Sequence, residues 1–193
     1  AGLPQGGRFF ALAGLPLDRL DTPQTGDMLR RFAAESGIGN FGIYFGNTSI
    51  RNTTVEGNTV ARCDGAGIHV DHTQVSQGNI IRNNTLFDNG VQLSLSDMSN
   101  TTGPGAAPPY YVPQFNDVYS GNILFSIRPE QFTMRHFNCH SPLPVNFGTF
   151  TNNRYFNPYE ELSIHIFNTN SGKREYLTLE QWQASRGTDV GST

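Results

Sequence analysis

Four segments share one asparagine-anchored pattern, and that repetition restricts the fold of this chain more than any other feature. They read Val55-Glu56-Gly57-Asn58-Thr59-Val60, Ile81-Arg82-Asn83-Asn84-Thr85-Leu86, Tyr119-Ser120-Gly121-Asn122-Ile123-Leu124 and Phe150-Thr151-Asn152-Asn153-Arg154-Tyr155. With Asn58, Asn84, Asn122 and Asn153 as anchors, the residue three before is always apolar, and the residue two after is Val60, Leu86, Leu124 or Tyr155. Gly57, Asn83, Gly121 and Asn152 stand directly before the anchors. Gly and Asn occupy φ > 0 at least cost, so each unit is expected to bend sharply at the same place. Stacking the units would bring the anchors into a ladder, each side-chain amide bonding the next.

A second set of segments falls between these: Gly42-Ile43-Tyr44-Phe45, Gly67-Ile68-His69-Val70, Gln92-Leu93-Ser94-Leu95, Thr133-Met134-Arg135-His136 and Ser163-Ile164-His165-Ile166. Most alternate apolar and polar residues, the mark of a strand with one buried face. Ile43, Ile68 and Leu93 are 25 residues apart, and the anchors are 26, 38 and 31 apart. One unit is thus about 25 residues, with insertions in the later ones. Two or three short strands per unit, stacked in register, describe a parallel β-solenoid. A β-sandwich also has short strands and frequent turns, but it does not require apolar and Asn columns recurring at one period through four units. The distribution of Asn agrees: all 18 lie between Asn40 and Asn170, where corners are needed and this residue tolerates left-handed backbone.

On these units, on Gly65-Ala66-Gly67-Ile68-His69-Val70, and on the ending Tyr176-Leu177-Thr178-Leu179-Glu180-Gln181-Trp182-Gln183-Ala184-Ser185-Arg186-Gly187-Thr188-Asp189, the chain resembles the right-handed parallel β-helix proteins. These form the broad pectate-lyase-like group, with secreted bacterial carbohydrate-active members. The resemblance covers about residues 41–193. It implies an all-β, right-handed parallel β-helix (solenoid) of about five visible rungs, and a secreted or cell-surface location. It says much about fold and little about function, because unrelated chemistries share this scaffold.

A solenoid leaves unpaired strand edges at both ends and needs caps. Thr178 with Gln181 three residues on is a capping-box pattern and Gly187 is a stop, so a short closing helix is expected within a C-terminal cap over 171–193. Leu179 and Trp182 share one face of it and are expected to pack on the last rung. Residues 1–40 differ in character. Positions 25–37 read as a short helix with Met28, Leu29, Phe32 and Ala33 on one face, so this segment is expected to be an insertion, a cap or the remnant of earlier rungs. It has neither an initiator Met nor a signal sequence, so the chain reads as a fragment or a processed form. The rungs are expected over 41–170, interrupted by an inserted loop at 100–113. Cys63 and Cys139 fall three rungs apart, ~14 Å by strand spacing, beyond disulfide reach.

If Ile43, Ile68, Leu93, Met134 and Ile164 point inward, Tyr44, His69, Ser94, Arg135 and His165 form an outward column. A second column, Asn47, His72, Asp97, Asn138 and Asn168, follows the strand ends, with Asp71 beside His72. Three His, one Arg and two Asp converging on one sheet suit a hydroxyl-rich or carboxylated polymer better than an apolar ligand. The 100–113 loop is expected to overhang this groove, bringing Tyr110 and Tyr111 to stack on sugars or to fold back onto the solenoid. For lyase chemistry on a uronic acid, His69 or His136 is the candidate base and Arg135 the candidate cation; Asp71 is counted with His69 and Arg135 as a candidate catalytic residue. Tyr44, His72, Asp97, Tyr110, Tyr111 and His165 are the candidate substrate-binding residues. No metal site is assigned and no cofactor is required, with Ca²⁺ held by Asp71 and Asp97 as the one candidate. For hydrolysis, Asp71 and Asp97 would be the carboxylate pair.

Composition sets the outer limits. Thirteen Lys and Arg against 16 Asp and Glu, without a basic run, argue against a nucleic-acid partner. No stretch approaches the ~18–20 apolar residues of a membrane span. The expected activity is that of a carbohydrate-active protein, a polysaccharide lyase or glycoside hydrolase whose partner is a polysaccharide or glycan. The alternative is a non-catalytic structural, adhesive or fibre-forming solenoid that binds glycans or self-associates.

Overall fold

The structure is a computed structural model, and it describes residues 41–45, 50–71, 78–97, 114–138, 145–169 and 171–193. The helix expected at 25–37, the 100–113 loop with Tyr110 and Tyr111, and His72, Asn47 and Cys139 lie outside the described residues.

The strands come in threes along the chain. The first rung comprises β1 (Ile43–Phe45), β2 (Thr54–Glu56) and β3 (Thr59–Ala61). The second is β4 (Ala66–Asp71), β5 (Ile80–Arg82) and β6 (Thr85–Phe87), and the third β7 (Val91–Ser96), β8 (Gln114–Ser120) and β9 (Ile123–Phe125). The fourth is β10 (Phe132–Asn138), β11 (Asn146–Thr151) and β12 (Arg154–Phe156). β13 (Ile164–Asn168) opens a fifth, and β14 (Arg174–Leu177) turns back antiparallel on it. Equivalent strands pair in parallel to give three sheets. Sheet 1 has the order β1-β4-β7-β10-β13-β14, sheet 2 β11-β8-β5-β2 and sheet 3 β12-β9-β6-β3. The protein is therefore mostly β, with three stacked sheets in a β-helix-like solenoid.

The apolar columns read from the sequence are the walls of the core. Val55, Ile81, Tyr119 and Phe150 are register partners in sheet 2, as are Val60, Leu86, Leu124 and Tyr155 in sheet 3. Ile68, Leu93, Met134 and Ile164 complete the interior from sheet 1. Single rungs of such short strands could not bury these side chains; stacking does, which is why the stability of such a fold resides in contacts between rungs.

Between sheets 2 and 3 the anchors form the expected ladder. Nδ2 of Asn58, Asn84 and Asn122 donates to Oδ1 of the next anchor, each at 3.0 Å. The backbone N–H of each donates to that same oxygen, and Nδ2 of Asn84, Asn122 and Asn153 also reaches back to the carbonyls of Val55, Ile81 and Tyr119. Asn84 and Asn122 thereby satisfy every polar side-chain valence while fully buried. A second, shorter ladder runs from Thr53 through Asn79 to Asp117 at another corner.

The residues before the anchors are left-handed, as expected: Gly57, Asn83, Gly121 and Asn152 have φ of 68°, 55°, 64° and 53°. Their alternation of Gly and Asn has a steric cause. The Asn83 amide oxygen lies 2.5 Å from where a Cβ on Gly121 would stand. Gly121→Ala combines that clash with a left-handed backbone, and we expect it to lower stability by about 1–2 kcal/mol in urea unfolding. A loss near zero would show that the Asn83 side chain yields freely.

The C-terminal cap is more elaborate than its helix. Thr178 caps the helix Leu179–Arg186 through a full capping box, and Gly187 ends it in a left-handed conformation. Trp182 is 3 % exposed and packs edge-on against His136 and Phe150. The tail then re-enters the solenoid. Val190 bridges Thr151 in parallel, Gly191 takes the left-handed position, and Ser192 Oγ accepts the Asn153 N–H at 2.8 Å. Asp189-Val190-Gly191-Ser192 is thus a truncated fifth repeat, with Ser192 at the anchor position. Asp189, in the apolar column, instead presents its carboxylate to the end of the ladder.

Candidate functional site on sheet 1

The outward side of sheet 1 carries a single file of polar and aromatic groups. Tyr44 is in register with His69, His69 with Ser94, Ser94 with Arg135 and Arg135 with His165, and Tyr176 of β14 pairs with His165. Successive members are one strand apart, ~4.8 Å.

At one end the rings of Phe41 and Tyr44 stack on His69, with centroids 4.8 and 5.4 Å away. Asp71 lies two residues along β4 and is buried. Burial, and secondarily the Asp71 charge, raises the Tyr44 phenol above its ordinary range. In the middle, Arg135 Nη2 donates to Ser94 Oγ at 3.3 Å. The guanidinium therefore leans toward β7, the strand next to the one that carries His69. Burial lowers the Arg135 pKa from its usual value. At the other end the His165 ring lies 4.7 Å from Tyr176 with planes 4° apart, and 4.9 Å from Phe132. Arg174 sits 4.4 Å over the Phe167 ring, a cation–π contact. Burial first, then the charges of Arg135 and Arg174, push the His165 imidazole down to about 4, so it is neutral at physiological pH.

Several sequence expectations need correction. His136 is not on this face: it pairs with Leu95 and Ile166 in the inward column, 3 % exposed, edge-on to Phe147 and Trp182. Alternation from Met134 already placed it inside. Asp97 follows β7 in the column of Asn138 and Asn168, as expected, but it is 1 % exposed and so not open to a ligand. The side-chain oxygens of those two Asn accept the N–H groups of Val145 and Ser171, so this column builds the corners that follow sheet 1. Asp71 and Asp97 therefore do not share the outward file. The face is also less open than expected, since Ser94 is fully buried and His165 is 7 % exposed. Among the described residues, no three His, Cys, Asp or Glu side chains come together to hold a metal ion. Cys63 is a free thiol, pushed up to about 11 chiefly by burial.

Phe41, Phe132, Phe167, Arg174 and Tyr176 belong to this face and were not anticipated. Tyr176 and Arg174 arrive through the antiparallel return of β14. A signal existed in Asn170-Ser171-Gly172-Lys173 before the alternating Arg174-Glu175-Tyr176-Leu177, a hairpin pattern.

No family model matches the chain, and no solved structure matches it. A stretch of 46 residues is 48 % identical to a probable flavin reductase of Rhizobium meliloti (strain 1021). That stretch is 24 % of this chain, and the chain spans 15 % of that relative's length. Among the described residues, no helix is long and apolar enough to cross a membrane.

Proposed function

We propose that this chain is a secreted carbohydrate-active protein of the right-handed, pectate-lyase-like β-helix type, which binds an acidic polysaccharide along the outer face of sheet 1 and cleaves it as a lyase. The observation that carries the reading is the in-register file of His69, Ser94, Arg135 and His165 between two groups of stacked rings. Parallel crossovers within one sheet are right-handed in nearly all proteins, which supports the hand. Elimination needs a base to remove the proton α to the uronate carboxylate and a cation to balance the charge that develops there. His69, its ring oriented by Phe41 and Tyr44, is suited to the first role, and Arg135, leaning toward it over Ser94, to the second. Hydrolysis would need two carboxylates facing one sugar, and Asp97 stands in the corner column instead.

A non-catalytic, glycan-binding or self-associating solenoid is the second reading, and the burial of Ser94 and Asp71 favours it. The test is a screen of acidic polysaccharides for unsaturated-product absorbance, with and without Ca²⁺, using wild type and His69→Ala. A catalytic base should cost His69→Ala ~10²–10⁴-fold in rate. Equal activity in the two proteins removes His69 from the mechanism. Retention of the polymer without product by wild type supports the second reading.

A further inference from the structure

Arg135 stands out on electrostatic grounds. Its guanidinium is partly buried, its one hydrogen bond goes to a neutral hydroxyl, and its Nε is enclosed without a partner. Beside it in register, His165 has both ring nitrogens enclosed and unpartnered. Buried polar atoms are nearly always satisfied, so three orphaned nitrogens on neighbouring residues call for a ligand. All are nitrogens, and the local charge is positive. Arg174 on β14 adds a second guanidinium, which lies over the Phe167 ring and, among the described residues, has no carboxylate partner. The acid beside it, Glu175, is taken by Lys173 and Arg186. Facing His165 there are then Arg135 from β10 and, from β14, Arg174 and the Tyr176 ring. Among the described residues, no carboxylate offsets these charges at His165 or Arg135.

We propose that Ser94, Arg135 and His165 form a receptor for one carboxylate, and that His165 takes up a proton from solvent when the carboxylate binds. An anion between the two side chains would give Arg135 its missing counter-charge and accept an N–H from His165. Burial is the first cause that keeps the imidazole neutral, and the Arg135 and Arg174 charges add to it; a carboxylate held against the ring would outweigh those charges and favour the imidazolium, so protonation would follow binding. The sign is definite: a group that gains a proton on binding makes affinity rise as pH falls, by at most ~10-fold per pH unit for one proton. In the setting of the proposed function the carboxylate belongs to a uronic acid residue, and in that respect the proposal rests on that reading.

The test is titration with galacturonate, galactose and acetate between ~pH 8 and ~pH 5, where a carboxylate stays ionised, following affinity by calorimetry and the His165 ring by NMR. Galacturonate and acetate should bind more tightly as pH falls and raise the His165 pKa, whereas galactose should do neither. Arg135→Gln should lose at least ~10-fold in affinity for both anions. His165→Gln should keep binding but with a flat pH profile, and Arg135→Lys should preserve the pH dependence. Equal affinity for galacturonate and galactose, or a His165 signal indifferent to both anions, overturns the proposal. If acetate moves His165 while no polysaccharide is bound or cleaved, the receptor stands and the carbohydrate reading falls. If a polysaccharide is cleaved while Arg135→Gln binds galacturonate as tightly as wild type, the carbohydrate reading stands and the receptor falls, and the role of Arg135 in cleavage falls with it.

Discussion

Asn122→Ala should lower stability by about 4 kcal/mol, because it removes four buried hydrogen bonds at ~1 kcal/mol each. Asn122 sits in the middle of the ladder at 1 % exposure. Its Oδ1 accepts from the Asn84 N–H and amide at 3.1 and 3.0 Å, and its Nδ2 donates to the Ile81 carbonyl and Asn153 Oδ1 at 2.9 and 3.0 Å. Alanine is too short to replace any of these; Asn153 Oδ1 keeps the backbone N–H of residue 122 and Asn84 Nδ2 keeps the Val55 carbonyl, but the surrounding apolar side chains supply no substitute for the four lost bonds. Water could rescue them only by opening the rung. Asn58→Ala provides the comparison. Asn58 heads the ladder, is partly exposed, and its side chain only donates, to the Glu56 carbonyl and to Asn84 Oδ1. We expect its loss to cost about 1 kcal/mol. Urea midpoints of the two variants give the difference directly. Equal, small shifts would mean that the ladder decorates the corner without holding it.

Asp189→Ala should be nearly as damaging, at about 3–4 kcal/mol for loss of several buried hydrogen bonds to a carboxylate. The Asp189 side chain is fully buried and accepts from four donors: Asn153 Nδ2 at 3.2 Å, Tyr155 OH at 2.6 Å, Trp182 Nε1 at 3.0 Å, and Ser192 Oγ. It ties together the end of the ladder, the last strand of sheet 3, the cap helix and the tail. Asp189→Asn keeps the shape but places an amide nitrogen against groups that donate, so we expect it to recover only about half of the loss. Trp182 fluorescence should report the change locally, since the indole loses its partner. A melting transition unchanged in Asp189→Ala would show that the cap closes without this carboxylate.

Most of what these predictions depend on was legible in the sequence. The anchors, the apolar columns beside them and the left-handed residues before them recur at one period, and a period survives without any knowledge of contacts. The alternation of Gly and Asn at the corner was legible too, although its cause, one rung's amide filling the space of the next rung's Cβ, needed coordinates. Asp189-Val190-Gly191-Ser192 repeats the spacing of the earlier units, but it escaped recognition because Asp and Ser replace the apolar residue and the anchor Asn. His136 was misread as a candidate base although the parity set by Met134 turns it inward.

The candidate site was legible only as a list of neighbours. Period-two alternation put Tyr44, His69, Ser94, Arg135 and His165 on one face, because register in a stacked sheet leaves that face no freedom. It could not tell which of them meet solvent, that β14 returns to lay Tyr176 on His165, or that Asp97, placed after the strand end, is buried there. The sequence by itself determined which side chains stand above one another, since that depends on local geometry repeated at a fixed interval. Only the tertiary structure decided which charges are compensated: among the described residues Arg135 has no carboxylate partner, while Glu175 has two cations because the last hairpin and the helix that follows it close the end of the stack together.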